Sequence, residues 1–398
     1  MKIYEIGTGY TPIPAQIPAA TESVVEELTK SFIKENIDVE ILDISTKRRA
    51  EHNLPINEVK VLSLFTRSDL SLGIVHKVKR VVYSVCLAKK IRSILKRTDD
   101  KVVLHFHNQY NAYFFFKLVP KKIRDKAIVV YTNHNGYWSL PLSETMDILN
   151  KRYFQEIYAM KNADMVFVLN EKMMNNIADF LKIEGEKLIL TPNGVNTDVY
   201  TPISQAEKES IKKRLGLLGK KVILQVGSVY ENKGQERSIR ALSKFLKENK
   251  NVAYAFAGGI VSQNYFDSIS ATVKNLGLEE QVVYLGVFSP GEKMNEIYNI
   301  ADVMVFSSRY EAFSLVIIEA ISAGIPVVMS DNFMVDLSKG FNAYNDEEEL
   351  LKLLYKILQD DKDDFTDRGE VIGKYGWDAV AKKQYEIFES LAQRRENV

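Results

Sequence analysis

The chain has 398 residues, 46% of them apolar and 26% charged, with a formal net charge of +1 and a single cysteine, Cys86. That length suits two domains of ordinary size, and the composition excludes a disordered or low-complexity chain. One cysteine excludes an internal disulfide framework and a cysteine-rich zinc site, which fits a reducing, cytoplasmic setting.

The opening run KIYEI reads as a strand, and Glu5 within it argues against a signal peptide. The loop GTGYTPIPAQIPAATE follows, with Gly7 and Gly9 resembling part of a dinucleotide fingerprint that lacks its third glycine. Thr21 and Glu22 then open a helix, TESVVEELTKSF, with apolar positions at Val24, Val25, Leu28 and Phe32. Further strands are expected at VEILDI, VKVLSLF, VVLHFH, AIVVYT, DMVFVL and KLILT. Such near-continuous apolar runs, alternating with helical stretches, are the pattern of parallel sheets covered by helices.

Charge is uneven. Residues 60–126 carry 16 basic against 4 acidic side chains. Within them a helix over 74–98 has apolar positions at Ile74, Val78, Val81, Val82, Val85, Ile91 and Leu95. Its basic remainder is read first as a solvated face, with docking on a membrane surface as the functional alternative. Nucleic acid is not expected, because aromatics are not interleaved with these cations. His105 and His107 end a buried-type strand, are expected to point to opposite faces, and lack a third ligand, so no zinc site is expected. His134 lies in VVYTNHNGYW, also just after a strand.

Pro192, Asn193, Gly194 and Pro202 break the pattern in TPNGVNTDVYTP, which places the hinge there and gives domains of 1–196 and 197–376. Beyond it the strands KVILQVG, NVAYAFAGG, QVVYLG, DVMVFSS and IPVVMS repeat the rhythm. In open α/β sheets, ligands bind in loops after the strands. One such loop, GSVYENKGQ, offers Gly227, Ser228, Gly234 and a flexible cation, Lys233. The segment SSRYEAFSLVIIEAISAG holds Glu311 and Glu319; eight helical steps span about 12 Å and leave both on roughly one side. On spacing alone, a surface helix with two solvated glutamates is the preferred reading, since Glu pairs at this interval are common. The last helix, over 377–398, is expected to cross back onto the first domain.

Taken in order, TPNGVNTDVYTP, GSVYENKGQ, FAGG, YLGVFSPGEKMNEIYNIADVMVFSSRYEAFSLVIIEAISAGIPVV and a tryptophan-bearing final helix resemble the retaining glycosyltransferases of family 4. The resemblance implies a GT-B fold, two Rossmann-like parallel-sheet domains facing a central cleft. It implies a nucleoside diphosphate sugar as substrate, UDP favoured, with no cofactor and no metal. Glu311 would then lie beside the donor sugar, Glu319 would bind the ribose and Lys233 the diphosphate. Gly227, Ser228, Arg309, Phe313, Ser314 and Leu315 would complete the phosphate and sugar site, and Gly259 and Phe288 would hold the base. His134 would sit near sugar and acceptor, and the loop with Gly7, Gly9, Ala20 and Thr21 near the departing diphosphate. The acceptor would be a glycan or a lipid-linked glycan in envelope or exopolysaccharide assembly, reached from the cytoplasm or the inner membrane face.

Two positions depart from the resemblance. Ser228 stands where many relatives carry arginine, so Arg309 or Arg237 is needed as a substitute cation. SDNFMVDLSKGFNAYND lacks the usual paired glycines. A catalytically silent glycan-binding partner and a nucleotide-sugar epimerase therefore stay open beside the transferase.

Overall fold

The computed structural model describes residues 1–14, 19–47, 49–62, 74–183, 185–330, 336–344, 346–359 and 365–396. The chain divides into two compact units, Met1–Gly194 with Trp377–Val398, and Val195–Gly376.

In the first unit, strands β1 (Lys2–Ile6), β2 (Val39–Ile44), β3 (Ile56–Val59), β4 (Val102–Phe106), β5 (Ala127–Thr132), β6 (Met165–Val168) and β7 (Leu188–Leu190) form one sheet. Their order is β3-β2-β1-β4-β5-β6-β7, and all pairs are parallel. The order reverses direction between β1 and β4, which makes their carboxyl ends the switch point where α/β folds hold ligands. Ile3, Val103 and Val130 face a core built with Val24, Leu28 and Phe32 of the helix Ala20–Lys34 and with Trp377, Val380 and Phe388. The helix Trp377–Glu396 thus belongs to this unit.

The second unit has strands β8 (Lys221–Val226), β9 (Val252–Ala257), β10 (Val282–Gly286), β11 (Val303–Phe306), β12 (Val327–Ser330) and β13 (Phe341–Tyr344). Their order is β10-β9-β8-β11-β12-β13, again all parallel. Its switch point lies between β8 and β11. Both units are α/β with parallel sheets, the fold class expected from the alternating runs. Among the described residues no helix is long and apolar enough to cross a membrane.

Three expectations are corrected. The strand expected at VKVLSLF is instead β3, Ile56–Val59; this edge strand carries half-buried Asn57 and exposed Glu58, so it lacks a continuous apolar run. Part of VKVLSLF, 63–65, lies outside the described residues. β13 was not expected, being four residues at a sheet edge. In the helix Ile74–Arg97, Ile91 and Leu95 are buried as expected, but Val78 and Val81 are 44% and 39% exposed, and the buried stripe continues instead through Lys79, Tyr83 and Leu87. Two polar side chains set that rotation: Lys79 donates to the Tyr10 carbonyl at 2.9 Å, and the Tyr83 hydroxyl donates to the carbonyls of Gly7 and Leu42, each at 3.1 Å.

Candidate active site

At the switch point of the second unit, the loop after β8 meets the loop after β11. Asn232 donates from Nδ2 to the Tyr310 carbonyl at 3.1 Å, and the Arg309 N–H donates to the Asn232 carbonyl at 2.9 Å. These bonds bring the Lys233 ammonium onto the Glu311 carboxylate as an ion pair, both side chains about four-fifths buried. A polar bed supports it. Gln225 donates from Nε2 to the Lys233 carbonyl at 2.7 Å, while its Oε1 accepts from Ser238 and Tyr254, each at 2.7 Å. Gly234 has φ +71°, and a Cβ there would lie 2.6 Å from the Ser307 carbonyl oxygen, so only glycine closes this turn.

Glu311 lies before, not on, the following helix, Leu315–Ser322, so the helical spacing to Glu319 does not apply. The helix starts late because Ala312–Ser314 run on as loop. Ser314 makes no side-chain cap, which leaves the first N–H groups of the helix for water or an anion. Phe313, Leu315 and Phe288 pack partly buried against the unit's core. Glu319 accepts from the Tyr298 hydroxyl at 2.6 Å, and burial pushes its carboxyl above the usual carboxylate range.

Beside them, Gly258 has φ +146°, and a Cβ would sit 2.1 Å from the Gly227 carbonyl oxygen, so the loops after β8 and β9 touch backbone to backbone. Space is open beside Gly259, and Val261 and Val287 are 70% and 61% exposed. Of the two cations expected to replace an arginine at Ser228, Arg237 is turned onto the Ser307 carbonyl, whereas Arg309 is exposed. The altered stretch at 331–335 lies outside the described residues.

In the first unit, Glu5 stands in register with His105 across β1 and β4. His105 and His107 do not point to opposite faces: strand residues two apart share a face, and both rings meet the one Glu5 carboxylate. His105 Nδ1 lies 2.9 Å from Glu5 Oε1, and His107 Nε2 lies 2.7 Å from Oε2. His107 Nδ1 in turn lies 3.1 Å from Nε2 of His134, and His105 Nε2 lies 2.6 Å from Thr132 Oγ1. Burial works to raise the Glu5 carboxyl, but the charge and hydrogen bonds of the histidines hold it at about 2. Burial and the charge of His105 push His107 down to about 4, and burial pushes His134 well below the usual imidazole range.

Glu5 thus supplies the third ligand type whose absence argued against zinc, and the donor atoms of Glu5, His105 and His107 lie within 4.8 Å of one another. Their pairings are at hydrogen-bond separations, so the carboxylate oxygens are committed to the two rings.

The His134 loop is clamped from below. Glu156, fully buried in the helix Phe154–Asn162, accepts from Tyr131 at 3.0 Å, Asn135 at 2.8 Å and Trp138 at 2.7 Å. Gly7 and Gly9 are held close: added Cβ atoms would meet Asp43 Oδ1 at 2.6 Å and the Tyr83 ring at 2.1 Å. Thr8 donates from its hydroxyl to Glu22, one turn into the helix that Ala20 and Thr21 begin. Residues 15–18 of this loop lie outside the described residues. The structure thus gathers Gly227, Ser228, Lys233, Arg309 and Glu311 at one switch point, and Gly7, Gly9 and His134 at the strand ends of the other unit. Glu5, Glu156, Gln225 and Tyr298 were not anticipated. Glu5 alone had a legible signal, a charge inside an apolar strand.

Residues 21–199 match Glycosyltransferase Family 4, and residues 207–364 match Glycosyl transferases group 1. Mannosylfructose-phosphate synthase of Agrobacterium fabrum is 28% identical over 185 residues, covering 45% of this chain and 40% of that protein. The match therefore spans well under two thirds of that relative's length. The Anabaena protein HepE, solved with UDP and glucose, superposes with a TM-score of 0.71 at 16% identity, over 98% of this chain and 100% of that one. Sucrose-phosphate synthase of Thermosynechococcus elongatus gives 0.75 at 18% identity, over 99% and 100%.

Proposed function

Because the chain belongs to the family 4, group 1 glycosyltransferases of GT-B fold, we propose that it transfers a hexose or N-acetylhexosamine from a nucleoside diphosphate sugar to an acceptor hydroxyl, with retention. The observation that carries this reading is the Lys233–Glu311 pair at the β8/β11 switch point, beside an uncapped helix start. A diphosphate inserted there takes over the Lys233 ammonium and meets the first N–H groups of the helix Leu315–Ser322. Glu311, released from the lysine, faces the transferred sugar and steadies positive charge at its anomeric carbon. Glu319, oriented by Tyr298, accepts from ribose hydroxyls. The base lies along open Gly259 and exposed Val261 and Val287.

In the retaining route, the acceptor oxygen attacks from the side the diphosphate leaves, and the departing phosphate oxygen takes the acceptor proton. No carboxylate is assigned as a covalent nucleophile, and no metal ion is invoked. UDP is favoured because HepE was crystallised with UDP and glucose. The acceptor is a glycan or lipid-linked glycan, and the setting is the cytoplasm or the inner membrane face.

The test is incubation with UDP-, GDP- and ADP-sugars with and without glycan acceptors, read by mass spectrometry, with the product anomer assigned by NMR. Retained-anomer transfer or donor hydrolysis supports the reading; an inverted product removes the retaining route. A second reading, a glycan-binding partner without turnover, is favoured by Ser228 standing where an arginine is expected while Arg237 is engaged by the Ser307 carbonyl. Glycan binding without consumption of any nucleotide sugar would establish it instead. Release of free UDP and an altered sugar without acceptor would indicate an epimerase.

A further inference from the structure

The four groups Glu5, His105, His107 and His134 run in a chain across three neighbouring strand ends, β1, β4 and β5. Each nitrogen in such a chain is a donor or an acceptor, and the assignment is fixed by counting protons. An ionised Glu5 has no proton to give. Both rings that touch it must therefore donate, His105 from Nδ1 and His107 from Nε2. A neutral His107 protonated on Nε2 has its lone pair on Nδ1. The partner of that atom is His134 Nε2 at 3.1 Å, which must then carry the proton. A neutral His134 protonated on Nε2 has its lone pair on Nδ1. The His134 ring makes one hydrogen bond among the described residues, the one to His107, and the residue as a whole is partly exposed.

We propose that Glu5 and His107 are positioning residues that lock His134 in its Nε2–H tautomer, so that its Nδ1 lone pair is offered to a hydroxyl of the sugar substrates and not to a phosphate oxygen. A phosphate oxygen has lone pairs only and is not bound by a lone pair, whereas a hydroxyl donates to it. Burial supports the lock. Glu5, His105 and His107 are nearly inaccessible to solvent, so water does not offer the rings an alternative partner. His105 is held in place by Thr132 and by edge contacts with Phe167 and Phe388, at ring separations of 5.6 and 5.8 Å. The loop that carries His134 is pinned by Asn135, whose backbone N–H donates to Asn133 and whose side chain donates to Glu156, both at 2.8 Å.

The tautomer half of this inference stands on the first unit alone; the hydroxyl half rests on the glycosyltransferase reading. The chain has five histidines, so the full-length protein labelled with 15N in its imidazoles gives an assignable spectrum. Long-range 1H–15N correlation at neutral pH is expected to show His107 and His134 both protonated on Nε2 and bare on Nδ1. A His134 ring protonated on Nδ1, or charged at neutral pH, overturns the lock. In folded His107→Phe, the His134 signals should move toward the averaged pattern of a ring with both tautomers populated; an unchanged Nε2–H pattern overturns the role of His107.

For a donor turned over by wild type, Glu5→Gln and His107→Phe are expected to lower kcat about 10- to 100-fold, the scale seen for outer-shell partners of metal-bound histidines, with donor KM within about twofold. A matching rise in KM overturns the hydroxyl assignment. A locked tautomer without any donor turnover sinks the transferase reading and leaves the lock. The opposite tautomer with full turnover does the reverse.

Discussion

Lys233 and Glu311 are bonded to each other across two loops, and the proposed reading inserts a diphosphate between them. Their replacements should therefore act on UDP with opposite signs. Lys233→Ala removes one charge-assisted contact to phosphate, about 1.5–3 kcal/mol, which weakens UDP about 10- to 150-fold at 1.4 kcal/mol per tenfold. Glu311→Ala removes a competitor for the lysine and a negative charge beside the diphosphate. The pair is about one-fifth exposed, so releasing it is worth at most about 1 kcal/mol, and UDP should bind up to about fivefold more tightly. The UDP-sugar should gain nothing in Glu311→Ala, because the carboxylate that meets the sugar is gone. Calorimetric titration of both variants with UDP and with the UDP-sugar reads all four numbers. Stability should fall by about 1–3 kcal/mol in either, between the cost at an exposed pair and at a fully buried one. If Lys233→Ala binds UDP as wild type does, or Glu311→Ala loses UDP and UDP-sugar alike, the placement of the diphosphate between these residues is wrong.

Gly234→Ala forces a left-handed residue to carry a Cβ 2.6 Å from the Ser307 carbonyl oxygen, and should cost about 1–3 kcal/mol in urea unfolding. Gly259→Ala, with open space at its Cβ, should stay within about 0.5 kcal/mol; equal costs would show that the Gly234 turn is not constrained. His107 has its folded pKa held at about 4, below its ordinary value, so the unfolded chain binds the proton first and stability is lost as pH falls from about 6.5 to 4. Wild type should lose about 3 kcal/mol more than His107→Gln over that window. Buried Glu22, Asp43 and Glu156, which burial raises, change with the opposite sign but are common to both proteins. Parallel pH profiles would refute the assignment. The helix Ile74–Arg97 exposes Lys89, Arg92, Lys96 and Arg97, so binding to vesicles with anionic lipid should weaken with salt and fall by about 1 kcal/mol per charge removed. Vesicle sedimentation of Lys89→Glu/Arg92→Glu at wild-type levels would exclude that face.

The parallel sheets were legible because their strands are buried on both faces and read as apolar runs, as VVLHF and KVILQV do. β3 and β13 were not, since edge strands have one neighbour and tolerate Asn57, Glu58 and Asn342. Lys233 and Glu311 could be named from the ordered motifs, yet 78 residues separate them, and only the β8–β11 pairing makes them partners. The rotation of the helix Ile74–Arg97 was misread because periodicity counts apolar residues. Lys79 and Tyr83 turn inward for backbone carbonyls that a hydropathy pattern does not contain.

Both units place a carboxylate against a nitrogen base at the switch point of a parallel sheet, and burial gives the two pairs different work. Glu5 is wholly enclosed and both its oxygens are taken by rings, so a ligand has no access to it. Among the described residues, hydrogen bonds lead from it through His107 to His134, a residue that is partly exposed. Glu311 and Lys233 keep about a fifth of their surface in solvent, and the bond between them is one that a diphosphate can replace at little cost. An enclosed pair sets the state of a neighbour, whereas an accessible pair exchanges partners. On that ground Glu5→Gln should leave UDP binding unchanged while altering His134, and Lys233→Ala should do the converse. A Glu5→Gln protein that loses UDP affinity as far as Lys233→Ala does would remove this division of labour.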